Sequence, residues 1–220
     1  MNSKDKKKTK RKGKIFRLRY FIYDLVKWTG ALSTLIALRP RLIYISKAAK
    51  KRVKGAALVI ANHQSYLDCI KLHMAFWYRR LHFVATKQLF EGKFRNWFFH
   101  KALCISVDKE NFNFQTFRDV CACLEEGGVV GVFPEGGMNG QEGTVKAFKA
   151  GVVLMALKSG APIIPVYLAK PKRWYNMQKI VIGESIGLEN GGKMPTLQDV
   201  EKMAEILRTK EIELMEKLEK

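Results

Sequence analysis

The chain has 220 residues, of which 47% are hydrophobic and 27% are charged. It is long and apolar enough for one folded domain with a buried core, which excludes a wholly disordered protein. The 40 Lys and Arg against 20 Asp and Glu give a net charge of +20, which indicates an anionic partner such as nucleic acid, phospholipid or an acidic protein. The four cysteines lack the density of a disulfide framework, which excludes a disulfide-rich secreted scaffold and favours the cytosol.

The amino-terminal segment is strongly basic, with ten basic residues and one acidic residue among residues 1–20. We predict a basic disordered tail over residues 1–14, because such a run cannot bury its charges. Residues 15–45 mix basic, aromatic and aliphatic side chains, and their longest charge-free run, residues 28–38, is shorter than the about 20 residues that span a bilayer. This pattern predicts one or two interfacial membrane-associating helices on an anionic surface.

We therefore expect a peripheral or monotopic protein on the cytoplasmic face of the cell membrane. A nucleic-acid-binding arm is the alternative interpretation of the basic cluster. However, the cluster is not interleaved with base-stacking aromatic residues, and no zinc spacing or recognition-helix pattern follows it. The sequence favours the membrane and predicts no nucleic-acid partner.

Residues 46–220 are predicted to form one α/β domain. The segments between its apolar runs have the spacing of amphipathic helices, and residues 196–220 form a charged helix with one apolar stripe. Alternating strands and helices predict a central, mostly buried sheet flanked by helices. The apolar runs that predict its strands are residues 56–61, 82–85, 103–107, 129–133 and 163–168.

Polar residues follow several of these runs, at the positions where open α/β sheets bind ligands. His63 lies just after the first run. If Ser65 caps the next helix, the Asp68 carboxylate can reach back to one imidazole nitrogen and leave the other basic. That pair is a general base with an orienting acid. The alternatives are a loop histidine and a capping-box acid. The other histidines and the cysteines lack metal-ligand spacing, so we predict no metal site.

The order of these motifs resembles that of the glycerolipid acyltransferase family, which includes the 1-acylglycerol-3-phosphate acyltransferases. The family's first motif is Asn-His with Asp five residues beyond the His, here Asn62, His63 and Asp68. The resemblance covers about residues 55–168 and implies a glycerol-3-phosphate-acyltransferase-like single domain. Its further segments are residues 83–87, 105–109, 133–136, 148–151 and 162–166.

The resemblance implies transfer of a fatty acyl group from acyl-CoA or acyl carrier protein to a lyso-glycerolipid hydroxyl. The implied acceptor is 1-acyl-sn-glycerol-3-phosphate, and the product is phosphatidic acid for phospholipid biosynthesis. His63 would be the base and Asp68 its orienter, with no cofactor besides the thioester co-substrate. The expected partners are the lyso-lipid acceptor, acyl carrier protein where it is the donor, and the anionic membrane surface that the charge pattern already predicts. Backbone amides of a glycine-containing turn could stabilise the oxyanion.

The resemblance also implies a set of substrate-binding residues. Two positions depart from the family pattern: Lys109 and Met138 stand where the family usually has arginines associated with the acceptor's phosphate. Lys146 or Lys149 could substitute as point charges, but without the bidentate geometry of Arg. A different lyso-lipid acceptor therefore stays open. The implied set is Asn62, Lys109, Phe133, Pro134, Glu135, Gly136, Gly137 and Lys149.

Two other classes of function remain as alternatives. A lipid thioesterase or hydrolase would use water in place of the acceptor, although the chain has no Gly-x-Ser-x-Gly nucleophile motif. An inactive homologue that only binds membranes is the second alternative, since the altered third motif could mark a loss of activity.

Overall fold

The computed structural model describes residues 20–108, 114–139, 144–170, 177–188 and 195–218. These residues form a seven-stranded sheet with helices on both faces, which confirms the predicted α/β class. The strands are β1 (Arg41–Tyr44), β2 (Ala57–Ala61), β3 (Leu81–Thr86), β4 (Cys104–Val107), β5 (Val129–Val132), β6 (Ile163–Leu168) and β7 (Lys179–Ile182). The helices are α1 (Phe21–Leu38), α2 (Asp68–Ala75), α3 (Lys93–Lys101), α4 (Phe114–Glu125), α5 (Gly151–Ser159) and α6 (Leu197–Glu216), with a 3-10 turn at Lys87–Phe90.

The strand order is β1-β7-β6-β2-β5-β3-β4. Strands β6, β2, β5, β3 and β4 are parallel, whereas β7 pairs with β6 in the antiparallel sense. The carboxyl ends of the five parallel strands therefore meet at one edge of the sheet, where α/β proteins bind their ligands. The segments after β2 and β5 are neighbours at this edge, because these two strands pair directly.

The core lies on both faces of the central strand β2, all five residues of which are fully buried. Val59 points to the face that α2 covers, while Leu58 and Ile60 point to the face that α4, α5 and α6 cover. The sequence of a strand with both faces buried is a continuous apolar run, which explains why the sequence predicted β2 clearly.

The sequence predicted five of the seven strands. The bounds of β6 match its prediction, and those of β2, β3, β4 and β5 differ by no more than one residue at each end. One boundary was wrong: β1 lies inside the predicted helical segment 15–45, but Arg41–Tyr44 pair in register with β7. A four-residue strand beside a long apolar stretch has no periodicity of its own. The predicted tail, residues 1–14, lies outside the described residues.

Helix α1 is long and apolar enough to cross a membrane by length and composition, and 7% of it is buried in the protein. Three side chains attach it to the domain. Tyr23 is buried, Asp24 forms an ion pair with Arg80 at 2.7 Å, and the Lys27 ammonium donates to backbone carbonyls that include that of Arg79 at 3.0 Å. The two charges that interrupt the apolar stretch therefore contact the domain. The exposed large apolar residues of α1 are Phe21, Leu25, Trp28, Leu35 and Ile36.

Candidate active site

His63 lies two residues beyond the carboxyl end of β2, with 19% of its side chain exposed. Its Nδ1 atom is 3.1 Å from Oδ2 of Asp68, and its ring stacks on Phe133 with centroids 4.1 Å apart. An ionised carboxylate only accepts hydrogen bonds, so Nδ1 carries the proton and Nε2 keeps its lone pair. The Phe133 ring and the Asp68 carboxylate together fix the orientation of the imidazole.

Asp68 is fully buried at the first residue of α2. The backbone amides of Gln64 and Ser65 each donate to its Oδ2 at 2.7 Å, and the Ser65 hydroxyl donates to Oδ1 at 2.8 Å. The prediction that Ser65 caps the helix was wrong, because α2 begins three residues later and Leu67 occupies the N-cap position. The Asp68 carboxylate instead accepts hydrogen bonds from the backbone amides of the preceding turn. This turn keeps His63 outside the helix.

Lys71 completes the environment of Asp68. Its ammonium lies 3.0 Å from Oδ1 of Asp68, and its exposed fraction is 5%. Burial raises the pKa of Asp68, but the His63 hydrogen bond, the Lys71 charge and the Ser65 amide outweigh burial and hold that pKa below its ordinary value. The sequence analysis missed Lys71, although residues three apart in a helix lie on one face.

The turn after β5 lies beside His63. The Gly136 amide donates to the carbonyl of Phe133 at 3.1 Å, and the Lys149 amide donates to the carbonyl of Pro134 at 2.9 Å. Gly136 has a φ of 71°, a conformation that favours glycine, and a Cβ there would clash with the Lys149 side chain. The positive φ explains why this turn favours glycine at position 136, since the flexible Lys149 side chain could move away from a Cβ.

Two buried carboxyl groups lie near this turn. They belong to Glu135 and Glu211, and no carboxylate oxygen of either residue has a hydrogen-bond partner among the described residues. Burial raises the pKa of Glu135, opposed by the backbone of His63 and by Lys146. Burial and the nearby Glu135 raise the pKa of Glu211, which is fully buried on α6, well above its ordinary value. The sequence analysis missed Glu211, whose place on the apolar stripe of α6 between Leu207 and Leu214 was the available signal.

Asn62, one of the predicted substrate-binding residues, makes its hydrogen bonds within the protein. Its side chain is fully buried. The Nδ2 group donates to the Leu168 carbonyl at 3.0 Å, and the Leu168 amide donates to Oδ1 at 2.7 Å. Both ends of the side-chain amide are thus occupied, and they join the ends of β2 and β6.

An apolar cavity of about 460 Å³ lies between α1, α2 and α3. Ile70 and Met74 line it from α2, the helix that begins with Asp68. Tyr23 and His73 also line it, with the Tyr23 hydroxyl 3.0 Å from Nδ1 of His73. Burial lowers the pKa of His73 to about 4, and the charge of Lys27 adds to this effect.

The Acyltransferase family model matches residues 42–169, which is more than half of the chain. The chain belongs to the acyltransferase family. It is 26% identical over 195 residues to the 1-acyl-sn-glycerol-3-phosphate acyltransferase of Bacillus subtilis (strain 168), an alignment that covers 86% of this chain and 96% of the relative. The family membership predicted from the motifs is therefore confirmed.

A solved structure has the same fold. The crystal structure of the 1-acyl-sn-glycerophosphate (LPA) acyltransferase PlsC from Thermotoga maritima superposes with a TM-score of 0.62, at 22% identity, over 90% of this chain and 81% of that chain. The predicted acyltransferase-like architecture of the domain is confirmed by this match.

The structure brings most of the acyltransferase motif residues to one edge of the sheet. His63, Asp68 and the turn that begins at Phe133 lie together, and Lys149 packs on this turn. Lys109 lies outside the described residues. Asn139, which the sequence analysis missed, donates its backbone amide to the His63 carbonyl at 2.6 Å. No group of three or more His, Cys, Asp and Glu side chains in the described parts of the chain could hold a metal.

Proposed function

We propose that the chain is a 1-acyl-sn-glycerol-3-phosphate O-acyltransferase, which moves a fatty acyl group from a thioester to the free hydroxyl of a lyso-phospholipid. The observation that carries this proposal is the contact between His63 Nδ1 and Asp68 Oδ2 at the ligand-binding edge of the sheet. It leaves Nε2 of an oriented, partly exposed imidazole as a base. The name of the Bacillus subtilis relative supports the identity of the acceptor.

The reaction needs one proton carrier. His63 Nε2 takes the proton of the acceptor hydroxyl as its oxygen attacks the thioester carbonyl. The new C–O bond forms a tetrahedral intermediate, and the C–S bond then breaks. The thiolate that leaves takes the proton back from His63, so the base is regenerated and no covalent acyl-enzyme forms. Asp68 stays ionised and holds the imidazole in the reactive tautomer.

Backbone amides of the turn after β5 would stabilise the oxyanion of the intermediate. The Gly136 amide already donates to the Phe133 carbonyl. The amides of Gly137 and Met138, which follow it in the same turn, are therefore the proposed donors. A Cβ added at Gly137 would meet no atom within 4 Å, so this side of the turn is open to a ligand.

Lysines supply the positive charge for the acceptor's phosphate. Lys149 packs on Gly136, and the Lys146 ammonium donates to the Met138 carbonyl at 3.1 Å. Both lysines are exposed, so an anion can reach them from solvent. We propose that they replace the arginine that the third motif lacks, each as a point charge. Glu135 would then accept a hydrogen bond from a hydroxyl of the acceptor.

The acyl chain of a lipid substrate would occupy the cavity between α1, α2 and α3. Its volume of about 460 Å³ lies within the usual range of ligand pockets. Ile70 and Met74 in its wall belong to α2, the helix that begins at Asp68. Acyl-CoA and acyl carrier protein both remain candidate donors.

We also propose that the enzyme works on the cytoplasmic surface of an anionic membrane. The outer face of α1 carries Phe21, Trp28 and Ile36, whose side chains are more than half exposed. Charge in the preceding tail adds electrostatic attraction to anionic lipids. Deletion of residues 2–19 should weaken binding to anionic vesicles and reduce its dependence on salt. Unchanged binding at low salt would contradict this electrostatic contribution.

The test is thiol release from acyl-CoA and from acyl carrier protein by detergent-solubilised protein, with a panel of lyso-lipids. We expect release that depends on 1-acyl-sn-glycerol-3-phosphate and that falls by about 10²–10⁴-fold in His63→Ala. His100→Ala, which removes an exposed histidine elsewhere, is the matched control and should retain activity. Release without any acceptor would indicate a thioesterase and would contradict the proposal. Preference for another lyso-lipid would contradict the proposed acceptor.

The role of the lysines has a separate test. Lys146→Gln/Lys149→Gln should raise the KM for the phosphate-bearing acceptor while kcat for the reaction changes little. The same variant should leave the KM of the thioester donor unchanged. A loss of kcat at saturating acceptor, with KM unaltered, would contradict a role in binding the phosphate.

A further inference from the structure

Helix α3 differs from the other helices of the domain because none of its side chains is buried. Four of its nine residues are aromatic and none is acidic. Its basic residues are Lys93, Arg95, His100 and Lys101. The exposed fractions of Phe94 and Trp97 are 73% and 47%. A helix on the surface of a soluble domain normally turns its apolar face to the core. Phe94 and Trp97 of α3 are instead open to the surroundings.

Helix α3 lies beside α1. Phe98 of α3 lines the same cavity as Trp28 and Leu35 of α1, and Trp77, after α2, lines it too. All four side chains belong to one side of the molecule. Phe94 stacks on Phe98, so the exposed aromatic residues of α3 extend outward from the cavity that α1 also lines.

We propose that α3 is a second membrane-contacting element, which places Phe94 and Trp97 in the interfacial region of an anionic bilayer beside α1. Tryptophan is enriched at the membrane-water interface, where its ring is partly apolar and its N–H is hydrated. Lys93 and Lys101, at the two ends of the helix, bind lipid phosphates. The combination of exposed aromatic and basic side chains on one short helix matches a lipid surface in both polarity and charge.

This contact orients the site as well as attaching the protein. One helix fixes only a line of contact with a surface, whereas α1 and α3 together fix a plane. The cavity between them then opens toward the bilayer, from which an acyl chain can enter without crossing water. The inference extends the membrane contact proposed for α1 and does not depend on the identity of the acyl acceptor.

The first experiment measures binding of the full chain to phosphatidylcholine vesicles that contain phosphatidylglycerol. Phe94→Ser/Trp97→Ser should weaken binding by at least about tenfold, since it removes two apolar anchors. Leu197→Ser/Ile206→Ser is the matched control, because these exposed apolar residues lie on α6, which covers the opposite face of the sheet. It should bind as the wild type does. Equal binding by the wild type and the α3 variant would overturn the proposal.

The second experiment tests charge. Lys93→Gln/Lys101→Gln should weaken binding by about fivefold for each charge removed, and the effect should fade as salt rises. Vesicles of phosphatidylcholine alone should not distinguish this variant from the wild type. An equal loss on neutral and anionic vesicles would contradict lipid phosphates as the partner.

The third experiment separates α3 from α1. In a protein whose only tryptophan is Trp97, made with Trp28→Phe, Trp77→Phe and Trp174→Phe, emission should shift to the blue on vesicles and be quenched by lipids brominated near the headgroup. A companion protein that keeps only Trp28 reports on α1. Quenching of Trp28 without quenching of Trp97 would overturn the proposal and leave the α1 contact standing. A blue shift of Trp97 with duplex DNA or an acidic protein, and none with vesicles, would also overturn it.

Acyl transfer in detergent solution is the control for folding and chemistry. There the α3 variants should stay within about twofold of the wild type, because neither Phe94 nor Trp97 lines the cavity. A loss of vesicle binding with activity retained in detergent supports the membrane role. Loss of activity in detergent as well as on vesicles would show a structural role and contradict the proposal.

Discussion

Replacement of Lys71 by Met tests how the charge around the base is balanced. Lys71 Nζ contacts Asp68 Oδ1 at 3.0 Å, while His63 Nδ1 contacts Oδ2 at 3.1 Å. The ammonium and the imidazole therefore lie on opposite sides of one buried carboxylate. Lys71 cancels the negative charge of Asp68, and its loss would leave that charge to act on His63 alone. The protonated form of the imidazole would then be favoured.

The two contacts and the carboxylate between them give the size of this effect. For about 7 Å between the ammonium and the imidazole, and an effective dielectric constant of about 20–40, Coulomb's law gives about 1–2 kcal/mol. That free energy equals roughly one pH unit. The acid limb of the kcat/KM profile should therefore move to higher pH by about one unit in Lys71→Met, and the rate at pH 6 should fall about tenfold. Glu135, which interacts with both His63 and Lys146, is unchanged in the variant.

The assay is acceptor-dependent thiol release between pH 5.5 and 9. Lys71→Arg keeps the charge and should keep the acid limb near its original position, so it is the matched control. Removing one partner of a buried ion pair also costs about 3–5 kcal/mol of stability, so circular dichroism must show that Lys71→Met remains folded at the assay temperature. A uniform loss of rate with an unmoved acid limb would refute the charge-balance reasoning and reduce Lys71 to a packing role.

Three further predictions concern stability. Asn62→Leu should lower the free energy of unfolding by about 2–5 kcal/mol in urea titration, because it leaves the amide and carbonyl of Leu168 buried without partners. An unchanged KM for the acceptor would agree with a structural role of Asn62, and a large rise in that KM would contradict it. Glu211→Gln should stabilise the protein more at pH 8 than at pH 5, since burial and Glu135 raise the pKa of Glu211 and the folded state resists its ionisation; an equal effect at both values would refute this. The pKa of His73 is lowered from about 6.5 to about 4 in the folded protein, so folding favours the neutral side chain. This contribution to stability is complete above pH 6.5 and is lost as the pH falls toward 4. The free energies of unfolding of the wild type and His73→Asn should therefore converge by up to about 3 kcal/mol over that range. A constant difference would show that the pKa of His73 is the same in the folded and unfolded states.

The sequence indicated the features that depend on residues close together in the chain. The central strands are buried on both faces, so each is a continuous apolar run with clear ends. The contact between His63 and Asp68 also follows from local geometry, because a turn between them can return the carboxylate to the imidazole. The detail of that turn was not predictable in the same way. Asp68, rather than Ser65, binds the free amides, and helix α2 consequently begins at Asp68.

The features that the sequence did not indicate depend on distant parts of the chain. Asn62 was placed among the substrate-binding residues, but its amide is bound by the backbone of Leu168, and only the pairing of β2 with β6 makes that contact. Glu211 reaches the site through the packing of α6, whose sequence shows only an amphipathic helix with one acid on its apolar face. Strand β1 is too short to carry a pattern and is defined by its partner β7.

Helix α2 links the chemistry of the site to the surface that we assign to the membrane. Its first residue is Asp68, and Lys71 in its first turn neutralises that carboxylate. Its last turn carries His73, which bonds Tyr23 of α1. An eight-residue helix therefore carries the carboxylate that holds the base at one end and contacts α1 at the other. Because Ile70 and Met74 of this same helix line the cavity, a lipid bound there would contact both α1 and the helix that holds Asp68.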